Sequence, residues 1–261
     1  MEDTMTEQTT TVNEENLQGR ICIVTGAASG IGKGIATRLV AEGATVVVAD
    51  LNGEAAEATA AELGNGSIGI PVNVTDRAAV DAMTEQVFST FGRIDVLVNN
   101  AGWDKVGPFL ESEVDVWDRV IAINLYGVLH CSQSVVRRMV EQGHGTVVNI
   151  GSDAARVGSS GEAVYSACKG GVVAFTKTLA REAARHGITA NAVCPGPADT
   201  PLFEQISAEN PKLRTALEKS IPLRRLAQPE DLANAVAFMA SPASKYITGQ
   251  TLSVSGGLTM L

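Results

Sequence analysis

The chain has 261 residues, of which 45% are hydrophobic, 19% charged and 4% aromatic, with 26 glycines and a formal net charge of −9. This length and composition suit a single α/β unit with small-residue helices on a sheet, and the acidic balance argues against nucleic acid or an anionic membrane as partner, since both favour basic patches. The four cysteines are widely spaced with no Cys-x-x-Cys pair, no run of about 18 apolar residues is present to span a membrane, and residues 1–16 lack the pattern of a signal peptide, so the reading is a cytoplasmic protein with a disordered polar tail over 1–16.

Short β-type runs alternate with helical patterns. Strands are predicted at Ile21–Thr25, Thr45–Asp50, Ser67–Val72, Asp95–Val98, Gly145–Ile150, Thr189–Cys194 and Thr251–Val254. Helices are predicted at Gly32–Glu42, Glu54–Leu63, Arg77–Phe91, Glu113–Glu141, Val164–His186 and Pro229–Met239. The alternation predicts an α/β fold: one Rossmann-type, doubly wound sheet of seven mostly parallel strands with helices on both faces, forming a single catalytic domain over 17–261. Residues 195–228 break the rhythm with five prolines and read as a substrate lid, or as an ordinary surface excursion.

At the first strand–helix junction stands Val24-Thr-Gly-Ala-Ala-Ser-Gly-Ile-Gly-Lys-Gly. Glycines at 26, 30 and 32 let backbone N–H groups approach a pyrophosphate, and the helix N-terminus adds partial positive charge. The spacing matches neither the plain dinucleotide pattern nor the Walker pattern. Asp50 closes the second predicted strand, where a carboxylate accepts hydrogen bonds from adenosine ribose hydroxyls and repels a 2′-phosphate. No Lys or Arg stands in the turn before Ser29 or at Leu51-Asn52, so NAD is favoured over NADP.

Tyr165 and Lys169 are four residues apart on one predicted helix, hence one turn apart on the same face. Lowering a phenol from a pKa near 10 to near 7 requires about 4 kcal/mol of preferential phenolate stabilisation. One cation at about 4 Å supplies roughly that at an effective dielectric near 20, and only about 1 kcal/mol in bulk water, so the pair needs a partly dry cleft. Ser152 lies thirteen residues upstream of the tyrosine. His130, His144 and His186 are scattered without ligand spacing, and no metal is expected.

From about residue 18 to its end the chain resembles the short-chain dehydrogenase/reductase family. Thr25-Gly-Ala-Ala-Ser-Gly-Ile-Gly is similar to the family's glycine motif, Asn99-Asn-Ala-Gly to its post-strand motif, and Pro195-Gly with Thr200 to its nicotinamide-side loop. The resemblance implies a catalytic tetrad of Asn124, Ser152, Tyr165 and Lys169. In it Tyr165 exchanges a proton with the substrate oxygen, Lys169 lowers its pKa and holds the nicotinamide ribose, Ser152 orients the carbonyl, and Asn124 holds a relay water. It implies contacts to the dinucleotide from Gly26, Ser29, Gly30, Ile31, Gly32, Asp50, Leu51, Asn73, Val74, Asn100, Ala101, Gly102, Tyr165, Lys169, Pro195, Gly196, Ala198 and Thr200. Asn73 departs from the family's usual aspartate at the adenine contact.

Asn99-Asn-Ala-Gly-Trp-Asp, the segment Ser152–Tyr165, Val193-Cys-Pro-Gly-Pro and Ser253-Val-Ser-Gly-Gly-Leu-Thr-Met look like the 2-hydroxycyclohexanecarboxyl-CoA dehydrogenase branch. The expectation is oxidation of a cyclic hydroxyacyl-CoA, with Trp103, Asp104, Asp153 and Arg156 shaping the acyl pocket. Lys212, Arg214, Arg224 and Arg225 are candidates for the coenzyme A phosphates. The alternatives are a dehydrogenase of a simple cyclic or secondary alcohol, a 3-oxoacyl-(carrier protein) reductase, or a non-catalytic dinucleotide-binding regulator. The resemblance also implies a homotetramer built on the Glu113–Glu141 and Val164–His186 helices, where Gly170-Gly171 would require close packing.

Overall fold

The computed structural model describes residues 17–208 and 212–261; the polar tail 1–16 and residues 209–211 of the expected lid lie outside the described residues. The strands are β1 (Ile21–Thr25), β2 (Thr45–Asp50), β3 (Ile68–Pro71), β4 (Val96–Asn99), β5 (Gly145–Ile150), β6 (Ile188–Pro195) and β7 (Thr251–Val254). They form one seven-stranded sheet in the order β3-β2-β1-β4-β5-β6-β7, and every pairing in it is parallel.

The helices are α1 (Gly30–Ala41), α2 (Gly53–Leu63), α3 (Arg77–Phe91), α4 (Val114–Ile121), α5 (Gly127–Gln142), α6 (Ala154–Val157), α7 (Ala163–Ala183), α8 (Pro201–Ala208), α9 (Leu213–Ser220) and α10 (Pro229–Ala240). Alternate strand residues point to opposite faces. Cys22 and Val24 of β1 meet Ile35 and Leu39 of α1 and Val236 of α10. Ile21 and Ile23 meet Val80 and Met83 of α3, Val135 and Met139 of α5, and Ala180 of α7. Burial on both faces explains why these strands read as unbroken apolar runs.

The chain ends its first three strands at one edge and returns to place β4 on the other side of β1. This reversal opens a crevice at the C-terminal ends of β1 and β4, the place where a doubly wound sheet accepts a ligand. The opposite end of the sheet has its own fixture. Asp95 is fully buried, accepts a hydrogen bond from the Ile21 N–H at 2.9 Å and pairs with Arg93.

Three local differences from the predicted elements have physical causes. The single helix expected over Glu113–Glu141 is α4 and α5 joined by a π-helical segment, Ala122–Tyr126. There the Asn124 side-chain amide takes the Val120 carbonyl at 2.9 Å, the acceptor four residues back that a regular helix gives to its backbone N–H. The third strand is shorter than Ser67–Val72 because Ser67 turns to hydrogen-bond the Val46 N–H. A Cβ on Gly170 or Gly171 would meet its neighbours within the chain only at ordinary contact distances, 3.9 Å from the Ala155 carbonyl oxygen and 3.4 Å from Leu125.

Gly69 in β3 touches the backbone of α2: an added Cβ would lie 2.4 Å from the Glu57 nitrogen and 2.5 Å from the Ala56 carbonyl carbon. Neither can yield without moving the helix. Gly69→Ala is expected to lower unfolding stability by about 1–3 kcal/mol, read from the denaturant midpoint at unchanged m-value.

Candidate active site

The glycine turn is held shut from the neighbouring strand. Thr25, 1% exposed at the end of β1, accepts hydrogen bonds on its hydroxyl from the backbone N–H of Asn100 at 3.0 Å and of Ala101 at 3.1 Å. Asn100 returns the contact, donating its amide to the carbonyls of Thr25 at 2.9 Å and Gly26 at 3.0 Å. This close approach needs glycine. A Cβ on Gly26, whose φ is +63°, would stand 2.9 Å from the Ala101 Cα, and one on Gly32 would stand 2.1 Å from the Gly26 carbonyl oxygen.

The other expected cofactor residues gather along the same edge of the sheet. Ser29 is the extended N-cap residue of α1, and Gly30 and Ile31 open that helix. Asp50 ends β2 and accepts the Ala28 N–H and the Asn52 N–H, both at 3.0 Å, while Leu51 beside it is exposed. Pro195 ends β6, Gly196 packs on Ser255, Ala198 bridges to Ala227, and Thr200 caps α8 and lies against Gly30. Val74 is buried, and its carbonyl meets His130 Nδ1 at 3.1 Å. Asn73 differs from expectation: its Oδ1 accepts from the Thr75 backbone N–H and hydroxyl, closing a turn before α3, so the acceptor intended for adenine is engaged locally.

This edge fits a dinucleotide. The cradle is backbone at its tightest point, a helix N-terminus faces it, and a carboxylate stands at the end of the next strand.

Beside the crevice, the four expected catalytic residues arrive from three elements. Lys169, on α7 and 2% exposed, donates to the Ile150 carbonyl at the end of β5 at 2.8 Å, and its Nζ is 5.6 Å from the Tyr165 ring centroid. A Cβ on Gly102 would lie 3.0 Å from Asn124 Oδ1 and 3.7 Å from Lys169 Nζ, so glycine lets the loop after β4 pass over both. Asn124 is fully buried and gives its amide hydrogens to the carbonyls of Trp103 and Val120, while its Oδ1 accepts the Trp103 N–H. Its side chain therefore pins the loop after β4 to the π-helical segment.

The electrostatics of the tyrosine also differ from expectation. Burial lifts the Tyr165 phenol above its ordinary value; Glu162 and Asp104 lift it further, and Ser152 offsets part of the rise. The Lys169 ammonium is itself pushed down to about 8 by burial. Asp104 is pushed up to about 6, first by burial and then by Glu162.

The expected acyl-pocket residues divide. Trp103 stays at the site, its ring covered by the Arg119 guanidinium 4.0 Å from the centroid. Asp104 lines a cleft of about 280 Å³ with Phe109, Val116, Trp117, Glu162 and Val164. Asp153 and Arg156 instead serve the end of the chain: the Ser253 hydroxyl donates to Asp153, and Arg156 donates to Ser253 and to the Leu261 carbonyl. They brace the last strand against the loop that follows Ser152.

The cations proposed for coenzyme A are mostly paired as well. Arg214 grips Asp199 at 2.5 and 3.0 Å, Arg225 grips Asp231 at 2.5 and 2.9 Å, and Arg224 donates to the Lys219 carbonyl; Lys212 is exposed. These pairs organise α8 and α9, which cover a small core of Phe203, Ile221 and Leu226.

Comparison with known proteins gives the same picture. A family model described as enoyl-(acyl carrier protein) reductase matches residues 26–259. The chain belongs to the short-chain dehydrogenase/reductase family. It is 39% identical to the 3-oxoacyl-(acyl-carrier-protein) reductase FabG of Escherichia coli (strain K12) over 94% of this chain and 100% of that protein. It is 40% identical to the (2S)-((R)-hydroxy(phenyl)methyl)succinyl-CoA dehydrogenase subunit BbsD of Thauera aromatica over 94% of this chain and 98% of that one. A crystal structure of 3-ketoacyl-(acyl-carrier-protein) reductase from Brucella melitensis complexed with NADH superposes with a TM-score of 0.89 at 34% identity, covering 94% of this chain and all of that one. As a member of this family the chain is an oxidoreductase for a nicotinamide dinucleotide.

Two residues stand inside quoted motifs without a role assigned there: Thr25, which opens the glycine motif and clasps Asn100 and Ala101, and Glu162, a carboxylate three residues ahead of Tyr165. For the first, Thr25→Val keeps the shape and strands the N–H groups of Asn100 and Ala101. It is expected to cost about 1–3 kcal/mol of stability in denaturant unfolding. In a fluorescence titration the NADH dissociation constant should rise roughly tenfold, the equivalent of about 1.4 kcal/mol.

Proposed function

We propose that this chain is an NAD(H)-dependent oxidoreductase that interconverts a 3-oxoacyl thioester and the corresponding 3-hydroxyacyl thioester. The observation that carries this reading is the buried Lys169, 5.6 Å from the Tyr165 ring and donating to the Ile150 carbonyl, beside a glycine cradle that fits a dinucleotide. A proton-donating phenol suits a carbonyl about to be reduced, and its rate advantage is on the order of 10²–10⁴. The names of the FabG and Brucella relatives support the 3-oxoacyl reading better than oxidation of a cyclic hydroxyacyl-CoA.

When bound, the nicotinamide dinucleotide supplies or takes up the hydride. The chain's own residues do the rest. Ser152 donates a hydrogen bond to the substrate oxygen and fixes its position. Tyr165 gives its phenolic proton to that oxygen during reduction and recovers it during oxidation. Lys169, carrying its charge below a pH of about 8, steadies the phenolate left behind. Thr200, on the stretch that follows β6, lies against Gly30 at the opening of α1.

Asp50 supports NAD(H) over the phosphorylated cofactor, because a carboxylate at the end of β2 repels a 2′-phosphate. The neighbouring cations are engaged elsewhere, Lys33 with Glu62 and Arg38 with Glu42. A second reading, oxidation of a cyclic or aryl hydroxyacyl-CoA, draws on the likeness to BbsD and on the stacked Phe109 and Trp117 rings, 5.4 Å apart, at the cleft beside Asp104.

A spectrophotometric panel tests both readings: linear and cyclic 3-oxoacyl thioesters on coenzyme A and on carrier protein, and simple cyclic ketones, each with NADH and NADPH. Thioesters with NADH are expected to exceed simple ketones by at least about tenfold in kcat/KM, and Tyr165→Phe should lose roughly 10²–10⁴ of it while binding NADH unchanged. A linear preference upholds the first reading and a cyclic one the second. Turnover of simple ketones alone would overturn both, and a preference for NADPH would overturn the role given to Asp50.

A further inference from the structure

Arg119 on α4 is exposed, and its Cζ stands 4.0 Å from the centroid of the Trp103 ring. Asp115 lies one turn back, the spacing at which Arg77 pairs with Asp81 and Arg38 with Glu42. Arg119 does not take it. Among the described residues it forms no ion pair and no hydrogen bond, and the indole is its partner. An aromatic face attracts a guanidinium and covers one side of it, while the N–H donors along its edge stay available.

The indole is fixed against the catalytic residues. Asn124 accepts the Trp103 N–H at 3.3 Å and donates to the Trp103 carbonyl at 2.6 Å, so the backbone of Trp103 is held on both sides. The residue before it, Gly102, passes over Asn124 and Lys169: an added Cβ would lie 3.0 Å from Asn124 Oδ1 and 3.7 Å from Lys169 Nζ. Two hydrogen bonds and one glycine thereby tie the Arg119–Trp103 pair to the lysine beside Tyr165.

Val116 and Val120 of α4 line the neighbouring cleft with Asp104, Lys105 and Glu162. Arg119, three residues after Val116, is on the same flank of the helix. The carboxyl groups of Asp104 and Glu162 oppose an anion inside the cleft, so an anion that meets Arg119 belongs to a part of the substrate that stays outside it. The chain as a whole carries a formal charge of −9, and the arginines after β6 are engaged, Arg214 with Asp199 and Arg225 with Asp231. Among the described residues beside the cleft, Arg119 and Lys105 remain without an ion pair.

We propose that Arg119, backed by Trp103, holds the phosphate on the pantetheine arm of a thioester substrate and so determines a preference for phosphate-bearing thioesters over phosphate-free ones. A guanidinium is always charged and offers a planar fork that matches two phosphate oxygens. Stacking on a fixed ring reduces the side-chain freedom lost on binding. This inference rests on the thioester reading given above and adds which end of the substrate is recognised at Trp103.

The test compares acetoacetyl-4′-phosphopantetheine with acetoacetyl-pantetheine, which differ only in the phosphate, in NADH oxidation by the wild type, Arg119→Ala and Arg119→Lys. The wild type is expected to favour the phosphorylated substrate roughly tenfold in kcat/KM, through KM, with the preference shrinking as salt is raised. Arg119→Ala should bring that ratio to about one, and Arg119→Lys, which keeps the charge without the fork, should restore it in part. A second pair, 3-oxoadipyl-CoA against 3-oxohexanoyl-CoA, differs in an acyl carboxylate; an Arg119 effect confined to this pair overturns the phosphate assignment. A third measurement needs no turnover. Trp117→Phe leaves Trp103 as the one indole, and its fluorescence should respond saturably to 4′-phosphopantetheine with Arg119 present and not after Arg119→Ala. A phosphate ratio unchanged by Arg119→Ala overturns the inference. If no thioester is turned over, the functional reading falls and the fluorescence titration decides: the same curve with and without Arg119 overturns the inference.

Discussion

A lysine ammonium buried to 2% exposure, with the Ile150 carbonyl as its acceptor at 2.8 Å, is the constraint around which the site is arranged. A charge at that depth loses hydration worth several kcal/mol and persists only where dipoles and hydrogen bonds replace water. The end of β5 supplies the carbonyl, Gly102 lets the loop after β4 close over the ammonium, and the π segment sets Asn124 beside it. The same loop begins with Asn100 and Ala101, which hold Thr25 and shut the glycine turn. The dinucleotide cradle and the proton-transfer group therefore hang on one short stretch, Asn100–Asp104.

The cleft sets opposing influences on Tyr165. Burial, Glu162 and Asp104 favour the neutral phenol, while Ser152 favours the anion. Lys169 is itself drawn down to about 8 by the same burial. A dry cleft that strengthens a cation's reach also raises the cost of the phenolate itself.

The strands and their mostly parallel arrangement were legible because a parallel sheet buried on both faces leaves apolar runs such as Ile21–Val24 and Val46–Ala49 that have no other place to go. Tyr165 and Lys169 were legible through helical spacing, and the cradle through glycines that only close backbone approach demands. What failed to show were side chains that choose distant partners. Arg156 reads as a pocket residue until Ser253 and Leu261 claim it, about a hundred residues away in sequence. Arg214 and Arg225 read as phosphate ligands until Asp199 and Asp231 pair with them. Asn124 reads as a helix residue, yet its amide captures the Val120 carbonyl and inserts a π turn. Each is a competition between a local rule and a tertiary partner, and periodicity carries no information about the winner.

The account's central claim is that a hydride passes between a nicotinamide and the 3-carbon of a thioester while Tyr165 supplies the proton. The most direct measurement is a single turnover of a 3-oxoacyl thioester with NADH carrying deuterium at both C4 positions, followed over time by mass spectrometry of the hydroxyacyl product. The account predicts deuterium at C3 of the product from the wild type, formed roughly 10²–10⁴ times more slowly by Tyr165→Phe. Product formed without the label, or labelled product formed equally fast by Tyr165→Phe, would contradict it.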